Sequence, residues 1–377
     1  MKMIHMSDLH IGKRVNEFSM IEDQKYIFLQ ITALIKEIKP DAVIIAGDVY
    51  DKPMPSAEAV SLFDDFLSEL ALLRLPVFII SGNHDSAERI AFASKIMRNE
   101  NIYLSPVFDG TMSCVTLTDK YGPVNFYMLG FIKPPAVRQL FPDAQINTYD
   151  DAVRTVINSA SIDTSVRNVL IAHQFVTGAK TCDSEEISVG GLDNVDVQAF
   201  EKFDYTALGH IHGSQNIGEK ARYCGTPLKY SFSEANHQKT LTVAQLNEKG
   251  SLKISELPLK PLHEMREIRG SYSEITKRSS YAGSDQEDYM HITLTDETDI
   301  IDAAGRLRSI YPNIMKLDYD NARTRENRVI SGQAECERRS PLSLFEEFYE
   351  LQNNQGMTES QREFCTGLMS EIWEENV

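Results

Sequence analysis

Short apolar runs alternate with amphipathic stretches over the first 210 residues of the chain. Runs rich in β-branched residues, such as Val43-Ile44-Ile45, predict strands that are buried on both faces. The predicted strands cover residues 2–6, 42–46, 77–80, 125–129, 169–172 and 206–208. Between them, apolar residues recur at helical spacing over residues 27–38 and 59–70. This alternation predicts a layered α/β domain in which helices flank mixed sheets.

The rest of the chain changes character twice. Residues 214–257 predict closing strands with a turn at Lys249-Gly250, and prolines 258 and 261 mark a linker. Residues 262–335 predict a small α+β unit, with strands at 291–294 and 314–319 and a helix at 299–310. We therefore expect a catalytic domain over residues 1–258, a capping domain over 262–335 and a two-helix tail over 340–377.

The tail carries clear helix-start signals. Ser340 before Pro341 is typical of an N-cap followed by proline at the first helical position. A second helix is predicted to start at Thr358, where Gln361 completes a capping box. Each helix has one apolar stripe, and two short helices cannot bury both stripes alone, so a partner groove is a natural destination. Packing against the chain's own domains is the alternative.

Composition is that of a globular protein, with 42% hydrophobic and 25% charged residues in 377. We find no apolar run of about 18 residues, so we expect no membrane-spanning helix. The opening residues predict a strand rather than a signal peptide. The five cysteines show no paired spacing, which favours reduced thiols and a cytoplasmic location.

The formal net charge of −17 argues against unspecific attraction to nucleic acid. The charge is unevenly distributed, since residues 340–377 hold one basic and eight acidic side chains. The preceding segment carries a basic cluster at Arg323, Arg325 and Arg328. We hypothesise that these arginines contact DNA phosphates; a solvated loop is the alternative.

Five short polar blocks each follow a predicted strand. The blocks are Asp8-Leu9-His10, Gly47-Asp48, Gly82-Asn83-His84-Asp85, Ala172-His173 and Gly209-His210-Ile211-His212. Singly, His173 would suit a buried core and Asp48 a turn. The tetrad, however, is expected only about 0.001 times by chance in such a chain. Because open α/β sheets place their sites at the carboxyl ends of strands, we expect these side chains to converge.

Carboxylate, imidazole and amide groups together suit manganese, iron or zinc, whereas an all-oxygen set would suit magnesium or calcium. Two divalent cations roughly 3.5–4 Å apart neutralise a phosphodiester and activate a water molecule. Asp48 is central in the chain order and is the natural carboxylate to bridge both cations. The sequence therefore predicts a two-metal phosphoesterase site.

These blocks resemble those of the calcineurin-like metallophosphoesterases. The resemblance implies that the first cation takes Asp8, His10, Asp48 and His212. It implies that the second takes Asp48, Asn83, His173 and His210. In the same pattern His84 contacts the scissile phosphate or protonates the leaving oxygen, and Asp85 orients His84 through its ring nitrogen.

Neighbouring residues indicate the branch of this superfamily. Protein phosphatases typically have arginine after the second aspartate of Gly-Asp-x-x-Asp and glutamate after Gly-Asn-His, whereas here Lys52 and Asp85 stand there. Residues 5–12, 47–51, 203–210, 223–227 and 231–234 instead resemble the SbcD family of bacterial nuclease subunits. The resemblance extends over essentially the whole chain.

This resemblance implies a manganese-dependent exonuclease and endonuclease that acts on DNA ends and hairpins in repair and recombination. It implies an SbcC-type ATPase subunit as partner, with the tail docked on the base of its coiled coil, and a homodimer within a heterotetramer. The alternatives are a nucleotide or cyclic-nucleotide phosphodiesterase on the same fold, and a scaffold without catalysis. The roughly 120 residues after the catalytic domain disfavour the former, and the intact ligand set disfavours the latter.

Overall fold

Strands and helices alternate along the first 210 residues, as the periodicity predicts. This computed structural model describes residues 1–182, 185, 194–298, 300–322, 324, 342, 345, 346, 349 and 357–374. Its strands are β1 (Lys2–Met6), β2 (Arg14–Val15), β3 (Phe18–Ser19), β4 (Ala42–Ala46), β5 (Val77–Ile80), β6 (Ile102–Leu104), β7 (Ser113–Asp119), β8 (Gly122–Leu129), β9 (Arg167–His173), β10 (Tyr205–Gly209), β11 (Gln215–Ile217), β12 (Ala221–Tyr223), β13 (Thr240–Leu246), β14 (Leu252–Pro258), β15 (Met265–Gly270), β16 (Tyr289–Leu294) and β17 (Ile314–Tyr319). Its helices are α1 (Ile21–Ile38), α2 (Ala57–Leu72), α3 (Ala87–Ile90), α4 (Ser94–Met97), α5 (Pro134–Leu140), α6 (Tyr149–Ser159), α7 (Tyr272–Ile275), α8 (Arg278–Tyr281), α9 (Ala303–Arg308) and α10 (Glu359–Glu374).

Two six-stranded sheets carry the fold. The first has the order β14-β13-β1-β4-β5-β6, and the second has the order β11-β12-β10-β9-β8-β7. Strands β1, β4, β5 and β6 run parallel, whereas β13 is antiparallel to β1. Strands β12, β10, β9 and β8 are also parallel, with antiparallel strands β11 and β7 at the edges. Both sheets are mixed, which confirms the predicted fold class.

The two sheets pack face to face, and helices cover their outer faces. Between the sheets, Phe78 of β5 and Phe126 of β8 stack with ring centroids 4.4 Å apart. Outside the first sheet, Phe28 of α1 stacks on Phe66 of α2 at 4.5 Å. Val153 of α6 lies in the core that covers the second sheet. Strands buried on both faces explain the continuous apolar runs in the sequence.

A three-stranded sheet with the order β15-β16-β17 follows the second proline of the linker. The described residues within 1–293 and 302–318 form one compact unit, and those within 294–301 and 319–377 form another. Strand β17 has its predicted bounds, but α9 is shorter than the predicted 299–310 helix. It begins after Asp302, whose side chain accepts the backbone N–H of Gly305 and so caps the helix. The predicted domain boundaries stay predictions.

The second tail helix has the predicted start. The backbone N–H of Thr358 donates to Oε1 of Gln361 at 2.9 Å, and the backbone N–H of Gln361 donates to Oγ1 of Thr358 at 3.4 Å. This reciprocal pair confirms the capping box. The predicted helix start at residues 340–341 and the cluster Arg323, Arg325 and Arg328 lie outside the described residues.

Among the described residues, no helix is both long and apolar enough to cross a membrane. Within the described part of the chain, Cys114, Cys182, Cys224 and Cys365 form no disulfide bond.

Candidate metal centre

The blocks that follow five of the parallel strands meet at one edge of the two sheets. The first sheet supplies Asp8 and His10 after β1, Asp48 after β4 and Asn83 after β5. The second sheet supplies His173 at the end of β9, and His210 and His212 after β10. Six of these seven side chains are buried, and Asn83 is half-buried. The structure thus brings every predicted ligand to one place.

One group of donors gathers around His10. Its Nε2 atom lies 3.2 Å from Nε2 of His212 and 3.8 Å from Oδ2 of Asp48. Asp8 completes the group, since one ligand atom from each of Asp8, His10 and His212 lies within 4.8 Å of the others. The oxygens of Asp8 also accept the backbone N–H of His210 at 3.0 and 3.1 Å, which fixes the carboxylate.

A second group gathers around Asn83. Its Oδ1 atom lies 3.0 Å from Nε2 of His173 and 2.9 Å from Nδ1 of His210. Oδ2 of Asp48 lies 3.4 Å from the same nitrogen of His173. Asp48 therefore touches both groups, as a bridging carboxylate must.

The donor set fits divalent cations. Two ligand atoms at right angles, each about 2.1 Å from a cation, lie about 3 Å apart, and that spacing recurs in both groups. Burial lowers the pKa of His10 well below its usual value and lowers that of His210 to about 3. Both imidazoles are thus neutral at pH 7 and can offer a lone pair.

His173 behaves differently from those two imidazoles. Its Nδ1 atom lies 2.8 Å from the carbonyl oxygen of Ala46, so that nitrogen donates to the backbone and Nε2 points at the other donors. Burial opposes ionisation of the ring, but the neighbouring Asp48 carboxylate raises its pKa to about 9. A cation bound by His173 must therefore displace the proton that Asp48 stabilises.

A buried glutamate supports the site from behind, and the sequence analysis missed it. Oε1 of Glu234 lies 3.1 Å from Nδ1 of His212, on the ring side opposite His10. Its other oxygen is 2.5 Å from Nζ of Lys239, which also donates to the carbonyl oxygen of His212 at 3.0 Å. Such a carboxylate fixes the tautomer and orientation of a metal-ligating histidine.

Two consecutive residues of α1 connect the loop after β1 to the third sheet. The amide group of Gln24 donates to the carbonyl oxygen of His10 at 2.8 Å and to Oη of Tyr230 at 3.0 Å. Asp23, its neighbour, accepts the hydroxyl of Tyr289 on β16 at 2.6 Å and the backbone N–H of His263 at 3.2 Å. Both α1 side chains are fully buried.

The predicted contact between Asp85 and the ring of His84 is wrong. The Asp85 carboxylate accepts the backbone N–H groups of Val49, Tyr50 and Gly82 at 3.0, 2.9 and 2.9 Å. Three loop amides without another acceptor compete better for a carboxylate than one imidazole does. The Nδ1 atom of His84 instead lies 3.0 Å from the carbonyl oxygen of Asp51. Asp85 thus joins two ligand loops rather than orienting the histidine ring.

Backbone strain concentrates at the ligands. Asp8, His10, Asp48 and His210 have φ values of 52°, 43°, 48° and 103°. Non-glycine residues adopt such angles rarely, and they do so mainly at functional sites.

Two glycines allow the close approach of the loops. A Cβ atom on Gly82 would lie 2.0 Å from Oδ1 of Asp48, and one on Gly209 would lie 2.0 Å from the carbonyl oxygen of Ala46.

Comparisons with known proteins agree with this geometry. The family model described as calcineurin-like phosphoesterase matches residues 1–214. The chain belongs to this family. A second model, described as the type 5 capsule protein repressor C-terminal domain, matches residues 261–353. The metallophosphoesterase fold implies divalent metal ions, and the described ligand groups are where such ions would bind.

One curated relative covers nearly the whole chain. The SbcD subunit of the SbcCD nuclease of Staphylococcus epidermidis is 34% identical over 380 residues, which is 99% of this chain and 99% of that protein. The chain belongs to the same family as that subunit. Among solved structures, a dimetal phosphatase from Danio rerio is 11% identical, with a TM-score of 0.42 over 69% of this chain and 97% of that chain. Protein TT1561 of Thermus thermophilus is 11% identical, with a TM-score of 0.39 over 68% and 98%.

Proposed function

We propose that this phosphoesterase is a metal-dependent DNA nuclease, the nuclease subunit of a repair and recombination complex with an SbcC-type ATPase. It would act as an exonuclease on duplex ends and as an endonuclease on hairpins and single strands. The observation that carries the proposal is the 34% identity over 99% of the chain to a nuclease subunit. The convergence of seven metal-binding side chains at one sheet edge supports it.

The cofactor we propose is a pair of divalent cations, with manganese favoured by the mixed donor set. The first cation would be held by Asp8, His10, Asp48 and His212. The second would be held by Asp48, Asn83, His173 and His210. When bound, the cations would neutralise the phosphate and lower the pKa of an attacking water.

His84 would donate a proton to the leaving oxygen of the substrate. Its ring lies 4.9 Å from that of His10, at the edge of the ligand cluster. Its Nδ1 proton is committed to the carbonyl oxygen of Asp51 at 3.0 Å, so Nε2 is the atom that can pass a proton to the leaving oxygen. The backbone N–H of His84 donates to Oδ1 of Asp48 at 2.9 Å, which ties this residue to the bridging carboxylate. Asp85 would position His84 through the loop backbone.

Four further assignments belong to the same proposal. Residues 262–335 would form a capping domain beside the nuclease cleft, and residues 340–377 would dock on the coiled coil of the ATPase. Eight acidic side chains against one basic in the tail support a basic partner surface. The protein would form a homodimer within a heterotetramer. The location we propose is cytoplasmic, and the four described cysteines form no disulfide bond within the described residues.

The decisive experiment is manganese-dependent cleavage of a radiolabelled hairpin duplex by the wild type and by His84→Gln. We expect the variant to lose at least roughly a hundredfold in rate, since general acid catalysis contributes 10²–10⁴. His291→Gln is the matched control, because His291 lies on β16 between Glu267 and Asp318. Cleavage of small phosphodiesters alone would favour the phosphodiesterase alternative. An inactive wild type, even with the ATPase present, would favour a scaffold.

The arginines at positions 323, 325 and 328 would contact DNA phosphates. Replacing all three with glutamine should make DNA affinity less dependent on salt. The slope of log affinity against log salt concentration should become less steep by about one for each phosphate that is no longer neutralised. An unchanged slope would exclude this role.

A further inference from the structure

A cleft of about 410 Å³ opens beside Asn83. Its walls come from the loops after three strands, namely residues 81–88 after β5, 105–108 after β6 and 128–133 at the end of β8. These are carboxyl ends of parallel strands in both sheets, where α/β folds bind ligands. The volume is within the range of small-molecule sites and is large enough for one nucleoside.

The walls of the cleft combine aromatic rings with hydroxyl groups. Phe108 and Phe131 line it together with Ser105 and Thr111. The ring of Phe131 lies almost parallel to that of His210, at 18° and with centroids 6.4 Å apart. Phe131 therefore lines the cleft and packs against one histidine of the second group, and Asn83 of the same group also lines the cleft. Flat apolar rings suit the face of a nucleobase. The hydroxyl hydrogens of Ser105 and Thr111 donate to Pro106 and Asp109, so these two oxygens can accept hydrogen bonds from the edge of a base.

The cleft also carries a cation at its rim. Among the described residues that line it, Lys133 is the one with a positive charge. It is exposed, and it has no ion-pair partner within the described part of the chain. In a protein with a net charge of −17, an unpaired lysine beside a phosphoesterase centre suits a second phosphate of the substrate.

We propose that this cleft binds the nucleoside of the nucleotide whose phosphate lies at the metal centre, and that Lys133 contacts the next phosphate of the strand. The proposal deepens the nuclease function and rests on it. The base would stack on Phe108 and Phe131, and its edge would donate to the hydroxyl oxygens that line the cleft. One unpaired nucleotide fits this volume, so the strand must leave its duplex before it enters.

The test is isothermal titration of the full-length, manganese-loaded protein with two probes, deoxyadenosine monophosphate and deoxyribose 5-phosphate. We expect the wild type to bind the nucleotide at least roughly tenfold more tightly, as stacking of one base predicts. Phe108→Leu preserves apolar packing but removes the ring face, so the preference should fall to about one. Phe92→Leu is the control, because that ring is 79% exposed and is not among the residues that line the cleft.

A second pair of variants tests Lys133. The dinucleotide with a 5′-phosphate should bind the wild type several-fold more tightly than the mononucleotide, and Lys133→Gln should abolish that gain. Lys120→Gln, in the turn between β7 and β8, should preserve it. Equal affinity for both probes in the wild type, or a preference that survives Phe108→Leu, would overturn the proposal. Failure of the nuclease function would appear separately, as an uncleaved hairpin with the nucleotide preference intact.

Discussion

Glu234 and His212 form a carboxylate–imidazole pair behind the candidate metal centre, with Oε1 of the former 3.1 Å from Nδ1 of the latter. Burial opposes ionisation of Glu234, but the adjacent Lys239 and His212 hold the pKa of its carboxyl well below the usual range. A permanent negative charge at this position keeps the Nδ1 proton of His212 in place. The Nε2 atom of the same ring, which faces Nε2 of His10, would then present its lone pair to a cation.

We predict that Glu234→Gln weakens binding of one cation by about 10–100-fold, because the ligand loses its orienting carboxylate. Manganese titration followed by electron paramagnetic resonance would measure the affinity of each site. Glu264→Gln is the matched control, since Glu264 also pairs with a lysine, at 2.5 Å, but on the surface. Two sites of unchanged affinity in Glu234→Gln would contradict this role.

The bridging role proposed for Asp48 leads to a second prediction about the cations. Asp48→Asn should weaken both cations together, because the same carboxylate lies 3.8 Å from His10 and 3.4 Å from His173. Metal analysis by mass spectrometry after dialysis should show bound manganese falling at both sites, whereas the exposed Asp41→Asn should retain it. Loss of a single ion per chain would show that Asp48 serves one cation.

A substitution at Gly82 tests whether the loops that carry the predicted ligands must pack this closely for activity. Gly82→Ala would place a Cβ atom 2.0 Å from Oδ1 of Asp48, so the carboxylate or the loop must move. We expect nuclease activity to fall roughly a hundredfold or more, as misplacing catalytic groups by about 1 Å does. The comparison is Gly367→Ala, where nothing lies within 4 Å of the added carbon. That helical substitution should leave activity unchanged and stabilise α10 by about 1 kcal/mol.

A pH-dependent contribution to stability comes from Asp119 at the end of β7. Its contact with the buried guanidinium of Arg167 holds the pKa of Asp119 well below its usual value. The contribution is therefore fully present above the unfolded pKa of about 3.9 and is lost as the pH falls towards the folded value. Asp119→Asn should lower the free energy of unfolding by about 2 kcal/mol at pH 6.

Urea denaturation at pH 6 and pH 3 would measure this difference, which should shrink at the lower pH. The exposed Asp143→Asn should have no such effect. A difference between wild type and Asp119→Asn that stays constant between the two pH values would exclude the ion pair as its source.

The convergence of the predicted ligands could be predicted from the sequence, because each lies directly after an apolar strand and strand ends meet at one sheet edge. Strands β1, β4 and β5 have their predicted bounds, since runs buried on both faces leave little ambiguity. The support of His212 by Glu234 was not predictable, because β11 and β12 separate the two residues in the chain. No spacing rule connects such residues, and only the folded sheets bring them together.

The error at Asp85 has a related cause. The pattern Asn83-His84-Asp85 suggests that neighbours in sequence interact, but adjacent side chains in a tight loop point in different directions. The acceptors for loop amides are not visible in a residue pattern either. The left-handed backbone at Asp8 and Asp48 escaped prediction for the same reason, since only the close approach of the loops imposes it.

The adjacency of Asp23 and Gln24 has a mechanical consequence. Asp23 accepts the hydroxyl of Tyr289 of the third sheet, and Gln24 donates to the carbonyl oxygen of His10, a predicted metal ligand. The first turn of α1 therefore connects that sheet to the loop of His10 by direct hydrogen bonds. This connection is separate from the linker that joins the two along the chain. A force that displaces β16 acts on the loop of His10 through two hydrogen bonds and one helical turn.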